Sequence, residues 1–240
     1  MEVKYIIGID EVGRGPIAGP VAVCAFVIKD ESLSNLIKEE IKNKKLPKLK
    51  DSKKLSKKQR EVWFKYLKVA KTEGFCDFAV SFVSPENIDK YGIAKCIQKA
   101  LNESLRKVAS QDLPNFSRFT LKGSDTDKNL EDSVPLASFH VYLDGGLHAP
   151  VEYIHQETII RGDELHPVIS MASIMAKVSR DRIMTKFALE YPEYGFENHS
   201  GYGTKAHYEA IKKHGQTPIH RKSFMYELTA PSDAYESTVK

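Results

Sequence analysis

A chain that begins Tyr5-Ile6-Ile7-Gly8-Ile9-Asp10-Glu11-Val12-Gly13-Arg14-Gly15 has few folds open to it. Its β-branched apolar residues read as a buried strand, which delivers two adjacent carboxylates into a Gly-Arg-Gly turn. Neighbours on a strand face opposite ways. For Asp10 and Glu11 to face one ligand, the strand is expected to end or bulge there, and the glycines that follow allow it. Side-by-side carboxylates repel unless a cation lies between them, and hard oxygen donors select Mg²⁺ or Mn²⁺. Two solvated acids at a strand end are the plainer alternative, which this stretch alone leaves open.

At 240 residues the chain can bury a substantial core as one domain, expected over residues 1–226 with a flexible tail from 227 to 240. A hydrophobic fraction of 41% beside 28% charged residues is that of a globular protein in water. No run is apolar and long enough for a membrane helix, and the N-terminus does not read as a signal peptide. Cys24, Cys76 and Cys96 are scattered and odd in number, which suggests reduced core thiols in a cytoplasmic protein. The net charge is only +4, but lysines crowd between Lys42 and Lys58 with Asp51 as the sole acid. Such a patch suits a polyanion such as nucleic acid, or is simply a solvated loop.

Val21 to Ile28 is apolar on both faces and predicts a central strand returning beside the first. A helical spacing follows from Glu31 to Ile41. Ser56 with Gln59 forms a capping box ahead of a helix burying Trp63, Tyr66, Leu67 and Ala70. Phe75 to Val83 predicts a strand, Ser84-Pro85 a helix start, and Ile93 to Val108 a longer helix with one apolar stripe. Residues 110–135 have the polar, acidic composition of a loop or insertion. Strands are expected at Leu136 to Leu143 and Glu157 to Arg161. Between Val168 and Leu189 an amphipathic helix is expected, with Lys177, Arg180, Asp181 and Arg182 on its charged side. A short helix from Lys205 to His214 lies in a helical C-terminal part, about residues 190–226. Strands alternating with helices after an opening hairpin make an α/β domain with a mixed sheet.

Asp10, Glu11, Asp144 and Asp163 each follow a β-rich run and sit by a glycine or a chain turn. Ligands gather at strand ends in open α/β sheets. Four carboxylates there would hold two divalent ions about 4 Å apart, the spacing used for in-line phosphoryl displacement. Such a site needs no protein nucleophile. The sequence has no Gly-x-Ser-x-Gly elbow, His-Glu-x-x-His motif or Walker loop, and its eight histidines are scattered.

The opening motif, continued by Ala18-Gly19-Pro20, resembles that of ribonuclease HII. Agreement continues in order through Asp51-Ser52-Lys53-Lys54-Leu55, Leu143-Asp144-Gly145 and Gly162-Asp163 to Asp181. It ends with Gly201-Tyr202-Gly203-Thr204 and Pro218 to Phe224. Five ordered motifs over about residues 5–226 are far more specific than a lone Asp-Glu-x-Gly. The resemblance implies an RNase H-like fold, a mixed five-stranded sheet flanked by helices. It also implies an endonuclease acting on RNA–DNA hybrids and on single ribonucleotides embedded in duplex DNA. Asp10, Glu11, Asp144 and Asp163 would be the catalytic metal ligands for two Mg²⁺ or Mn²⁺ ions. Gly13, Arg14, Gly15 and Tyr202 match the elements that recognise the ribose 2′-OH, and Lys53 would bind a phosphate near the cut. Arg180 and His220-Arg221 would touch phosphate too, or else serve internal pairing. Ser173 is read as close helix-on-sheet packing. The chain departs from the family in its 123–135 insertion and at Met171, where a smaller residue is usual. A monomer is expected, and no clamp-binding tail motif is visible. Two rivals are a non-catalytic RNA–DNA binding module of the same fold and a two-metal nuclease of that fold with another substrate.

Overall fold

The structure, a computed structural model, describes residues 4–33, 46–109 and 135–225. The expected helix beyond Leu33, the start of the lysine-rich stretch, the insertion at 110–134 and the tail lie outside the described residues.

Five strands form one sheet: β1 (Tyr5–Val12), β2 (Val21–Lys29), β3 (Cys76–Val83), β4 (Phe139–Asp144) and β5 (Gln156–Ile159). Their order is β3-β2-β1-β4-β5. β1 pairs antiparallel with β2, as expected of the opening return, and β2 antiparallel with β3. β1–β4 and β4–β5 are parallel, so the sheet is mixed. Every residue of β2 from Val21 to Ile28 is buried, as its two-sided apolar run requires.

The helices are α1 (Lys57–Thr72), α2 (Pro85–Tyr91), α3 (Ile93–Ala109), α4 (Gly162–Leu165), α5 (Pro167–Glu190), α6 (Phe196–His199) and α7 (Lys205–His214). α1 starts on the expected capping box, in which Ser56 Oγ accepts from Gln59 N–H and Gln59 Oε1 accepts from Ser56 N–H. Ser84 caps α2 with Pro85 in its first turn. On one face of the sheet α5 and α1 pack over Ile6, Phe26 and Ile28; on the other, α3 covers Ile7, Ile9 and Val141. A third cluster joins Ile17 and Ala18 to Met184, Phe196 and Ile211, and so fastens the C-terminal helices to the turn after β1.

Three expectations shift. β4 begins at Phe139 because Leu136–Ser138 winds into a 3-10 turn. β5 stops at Ile159 because Arg161 takes a left-handed conformation (φ 58°) and the chain turns into α4. α5 is not amphipathic along its whole length. Val168 to Ala176 is buried on all sides, since the helix is held between sheet and α1, and Arg180 is fully buried. Among the described residues no helix is long and apolar enough to cross a membrane.

Candidate active site

Strand register brings the first two acids together. The β1–β4 ladder ends at Ile9↔Leu143, so Asp10 and Asp144 occupy the next position of the same register and face the α5 side. Asp163 arrives on α4, the turn that follows β5. One carboxylate oxygen from each of Asp10, Asp144 and Asp163 lies within 4.8 Å of the others. Asp10 and Asp163 are buried. Asp144 Oδ1 accepts from the Gly162 N–H at 2.6 Å and the Asp163 N–H at 3.4 Å, which fixes β4 to α4.

Glu11 does not join this group. The expected break in β1 is absent: β1 stays in register with β2 through Val12↔Ala22. Strand alternation therefore holds, and Glu11 Oε1 accepts instead from Arg14 Nη1 at 3.5 Å. It remains close enough to feel the cluster. Burial chiefly raises its pKa, Arg14 opposes that, and Asp144 adds to the rise.

Electrostatics shows what the cluster lacks. Burial pushes the Asp10 pKa well up, a hydrogen bond from Ser173 pulls it back, and Glu11, Asp144 and Asp163 push it further up. Asp163 is raised by burial and by Asp144, against the pull of Lys53. The nearby positive charge is the Lys53 ammonium, 3.3 Å from Asp163 Oδ2 on a largely solvent-exposed side chain. Converging, partly buried carboxylates with so little compensation suit a hard divalent cation bound by oxygen. The donor set contains no imidazole or thiolate, which argues against zinc.

The sequence assigned Ser173 to packing alone; its hydroxyl also lies beside Asp10, where it lowers that carboxyl's pKa, and sits 2.8 Å from Ser52 Oγ. The Asp51–Leu55 loop is thereby linked to the first carboxylate. The same loop holds Lys53, whose N–H donates to Asp51 Oδ1 at 2.8 Å.

Gly13, Arg14 and Gly15 continue directly from β1. Gly13 has φ 91°, and a Cβ there would run into the Arg180 guanidinium. Arg14 and Gly15 are exposed, and Tyr202, half exposed, sets its ring edge about one van der Waals contact from Gly15. Arg180 and Arg221 are not phosphate ligands. Both are fully buried and bond main-chain carbonyls: Arg180 those of Ala18, Pro20 and Ser200, Arg221 those of Gly13, Arg14 and Gly19. The signal was in the sequence, because Arg180 falls four residues after buried Ala176 on the same face of α5.

A family model for ribonuclease HII matches residues 7–227. The chain is 37% identical over 219 residues to ribonuclease HII of Endomicrobium trichonymphae, covering 91% of this chain and 84% of that protein. It is 37% identical over 225 residues to ribonuclease HII of Clostridioides difficile (strain 630), covering 93% and 71%. Among solved structures it resembles one of the PCNA:RNase HII complex from Archaeoglobus fulgidus, with TM-score 0.60, 24% identity, and 90% and 93% of the two chains covered. It likewise resembles ribonuclease H2 from Pyrococcus horikoshii OT3, with TM-score 0.58, 24% identity, and coverage of 91% and 93%. With that fold, that cluster of acids and relatives this close, the chain belongs to the ribonuclease HII family of ribonuclease H enzymes.

Proposed function

We propose that this enzyme hydrolyses the RNA strand of RNA–DNA hybrids and cuts on the 5′ side of single ribonucleotides embedded in duplex DNA. The products carry a 3′-hydroxyl and a 5′-phosphate. The proposed roles are ribonucleotide excision repair and removal of RNA primers, carried out by a cytoplasmic monomer. The convergence of Asp10, Asp144 and Asp163 within 4.8 Å is the observation that carries this reading.

Asp10, Asp144 and Asp163 are the residues that would hold Mg²⁺ or Mn²⁺, and Glu11, which turns to Arg14 in this structure, would join them in holding a second ion once released from that pairing. When bound, such a pair of ions supplies charge stabilisation at both the attacking and the leaving oxygens of an in-line displacement. The protein supplies placement. Arg14 and Gly15 lie exposed in the turn after β1, where a ribose can approach Gly15 without meeting a Cβ and the Tyr202 ring lies alongside, while buried Gly13 shapes the turn by letting Arg180 pack against it. Because the leaving O3′ belongs to the preceding nucleotide, the 2′-OH of the ribonucleotide is read rather than used as a nucleophile. Lys53 holds Asp163 here and has the exposure to turn towards a phosphate, a contact that would position the duplex and make binding salt-sensitive.

End-labelled duplex with one embedded ribonucleotide tests this against the binding-module alternative. One cut on the 5′ side is expected with Mg²⁺ or Mn²⁺ and none with EDTA. Tight binding with no product under any metal would leave only a binding module, and cutting of long hybrids alone would point to a different substrate.

A further inference from the structure

Among the described residues the Tyr202 side chain makes no hydrogen bond that would hold it against Gly15; the loop that carries it is set from below by histidines. The Tyr202 carbonyl accepts from Thr204 N–H at 2.8 Å and faces His207 Nδ1, also at 2.8 Å. A carbonyl only accepts, so His207 carries its proton on Nδ1. His207 Nε2 is then an acceptor, and it lies 3.1 Å from His220 Nε2. At its other nitrogen His220 accepts from the Thr217 N–H, 2.9 Å from Nδ1, which leaves its own proton on Nε2. The donors and acceptors run one way without conflict, from Thr217 N–H to His220, from His220 Nε2–H to His207, and from His207 Nδ1–H to the Tyr202 carbonyl. Both rings are buried.

His199 belongs to the same unit. It stacks on His207 with centroids 4.5 Å apart, faces the Tyr194 carbonyl with Nε2 at 2.8 Å, and accepts from the Gly201 N–H through Nδ1 at 3.2 Å. Gly201 in turn accepts from the N–H groups of Ile17 and Ala18, and Ala18 bridges to His220. The loop bearing Tyr202 and the turn after β1 are therefore keyed to one histidine chain. The titratable groups facing His207 are His199 from α6, His220 from the loop after α7 and the Tyr194 ring edge-on; those facing His220 are His207 and Tyr194, with Arg221 next in the chain. A proton added to either His207 or His220 would set two donors against each other. Burial holds both pKa values down, that of His207 to about 4, which keeps the chain neutral.

We propose that His207 and His220 are positioning residues for sugar discrimination, fixing the Tyr202 ring over Gly15 through a directional hydrogen-bond chain to its carbonyl. This rests on the reading of Tyr202 as the residue that senses the sugar at the cut.

Two measurements on the full chain test it. Histidine ¹⁵N NMR of the wild-type protein at pH 7.5 should show His207 neutral with its proton on Nδ1 and His220 neutral with its proton on Nε2. The opposite tautomer in either, or a charged ring, would overturn the proposal without any variant. The second is the ratio of cleavage at a single ribonucleotide to cleavage of a long RNA–DNA hybrid. His207→Gln removes the donor to Tyr202 and should lower that ratio roughly 10-fold, as expected for one lost buried hydrogen bond. His207→Asn places an amide N–H near the Nδ1 position and should restore it to within about 3-fold. Tyr202→Ala is measured beside them. Discrimination lost in Tyr202→Ala but kept in a folded His207→Gln would overturn this inference alone. Discrimination kept in Tyr202→Ala would overturn the reading of the tyrosine and the inference with it.

Discussion

Arg180 and Arg221 show how much of this site rests on side chains that meet no substrate. Burial pulls the Arg180 pKa down to about 10 and that of Arg221 to about 9, and both still carry charge at neutral pH. Their N–H groups go to carbonyls of the turn after β1 and of Ser200, in segments with no regular ladder to satisfy them. A buried carbonyl left without a donor costs roughly 1–3 kcal/mol. Arg180→Met, of similar length but with no donors, should therefore destabilise the protein by about 3–5 kcal/mol in a urea melt. A loss below about 1 kcal/mol would show that the turn holds itself. The same reasoning explains why part of the candidate site was legible residue by residue in the sequence and part was not. Asp10, Asp144 and Asp163 each follow a β-rich run and sit by a glycine or a chain turn, a pattern visible along the chain. The hydroxyl of Ser173 and the imidazoles of His207 and His220 acquire their roles only from partners distant in sequence, as Ser173 does from Asp10 and Ser52.

α5 on β1 is the contact between elements on which the site depends. Gly8 permits it. A Cβ at that position would meet the Val168 carbonyl and the Ile169 nitrogen, both backbone atoms that cannot swing aside. Gly8→Ala should push α5 off the sheet and cost on the order of 3 kcal/mol, with activity falling further than stability because Ser173 moves away from Asp10. A variant with wild-type melting temperature would contradict this packing account. α7 carries a different sensitivity. His207 titrates at about 4 in the folded chain against 6.5 unfolded, so between those values the unfolded chain binds more protons. Stability should be at its full value above pH 6.5 and fall as the pH drops from 6.5 towards 4. Melting temperatures across that window check it, and His207→Asn should flatten the slope; an unchanged slope would assign the loss to other groups. Elements were legible where periodicity or caps were strong, as in α1, α3 and α7. α4 is too short to show a period, and the first half of α5 is apolar all round, so its one-sided pattern misled.

On the scale of the whole molecule, the sheet gathers acids at one end because β1 and β4 run parallel and finish together. The C-terminal helices then fold back onto the turn leaving β1 and place Tyr202 beside it. The mixed sheet could be expected from the order of strands and helices, but how the C-terminal part docks could not, since it depends on Arg180, Arg221 and the histidines. The central claim is that the converging carboxylates form a cation site. Mn²⁺ titration of metal-free protein, followed by melting temperature, tests it most directly. The wild type should be stabilised by about 2.7 kcal/mol at a hundred times the dissociation constant. Asp10→Asn and Asp144→Asn should melt no lower than the wild type without metal, since each relieves repulsion, and should lose most of the rise with Mn²⁺. An equal Mn²⁺-dependent rise in wild type and Asp144→Asn would contradict the account.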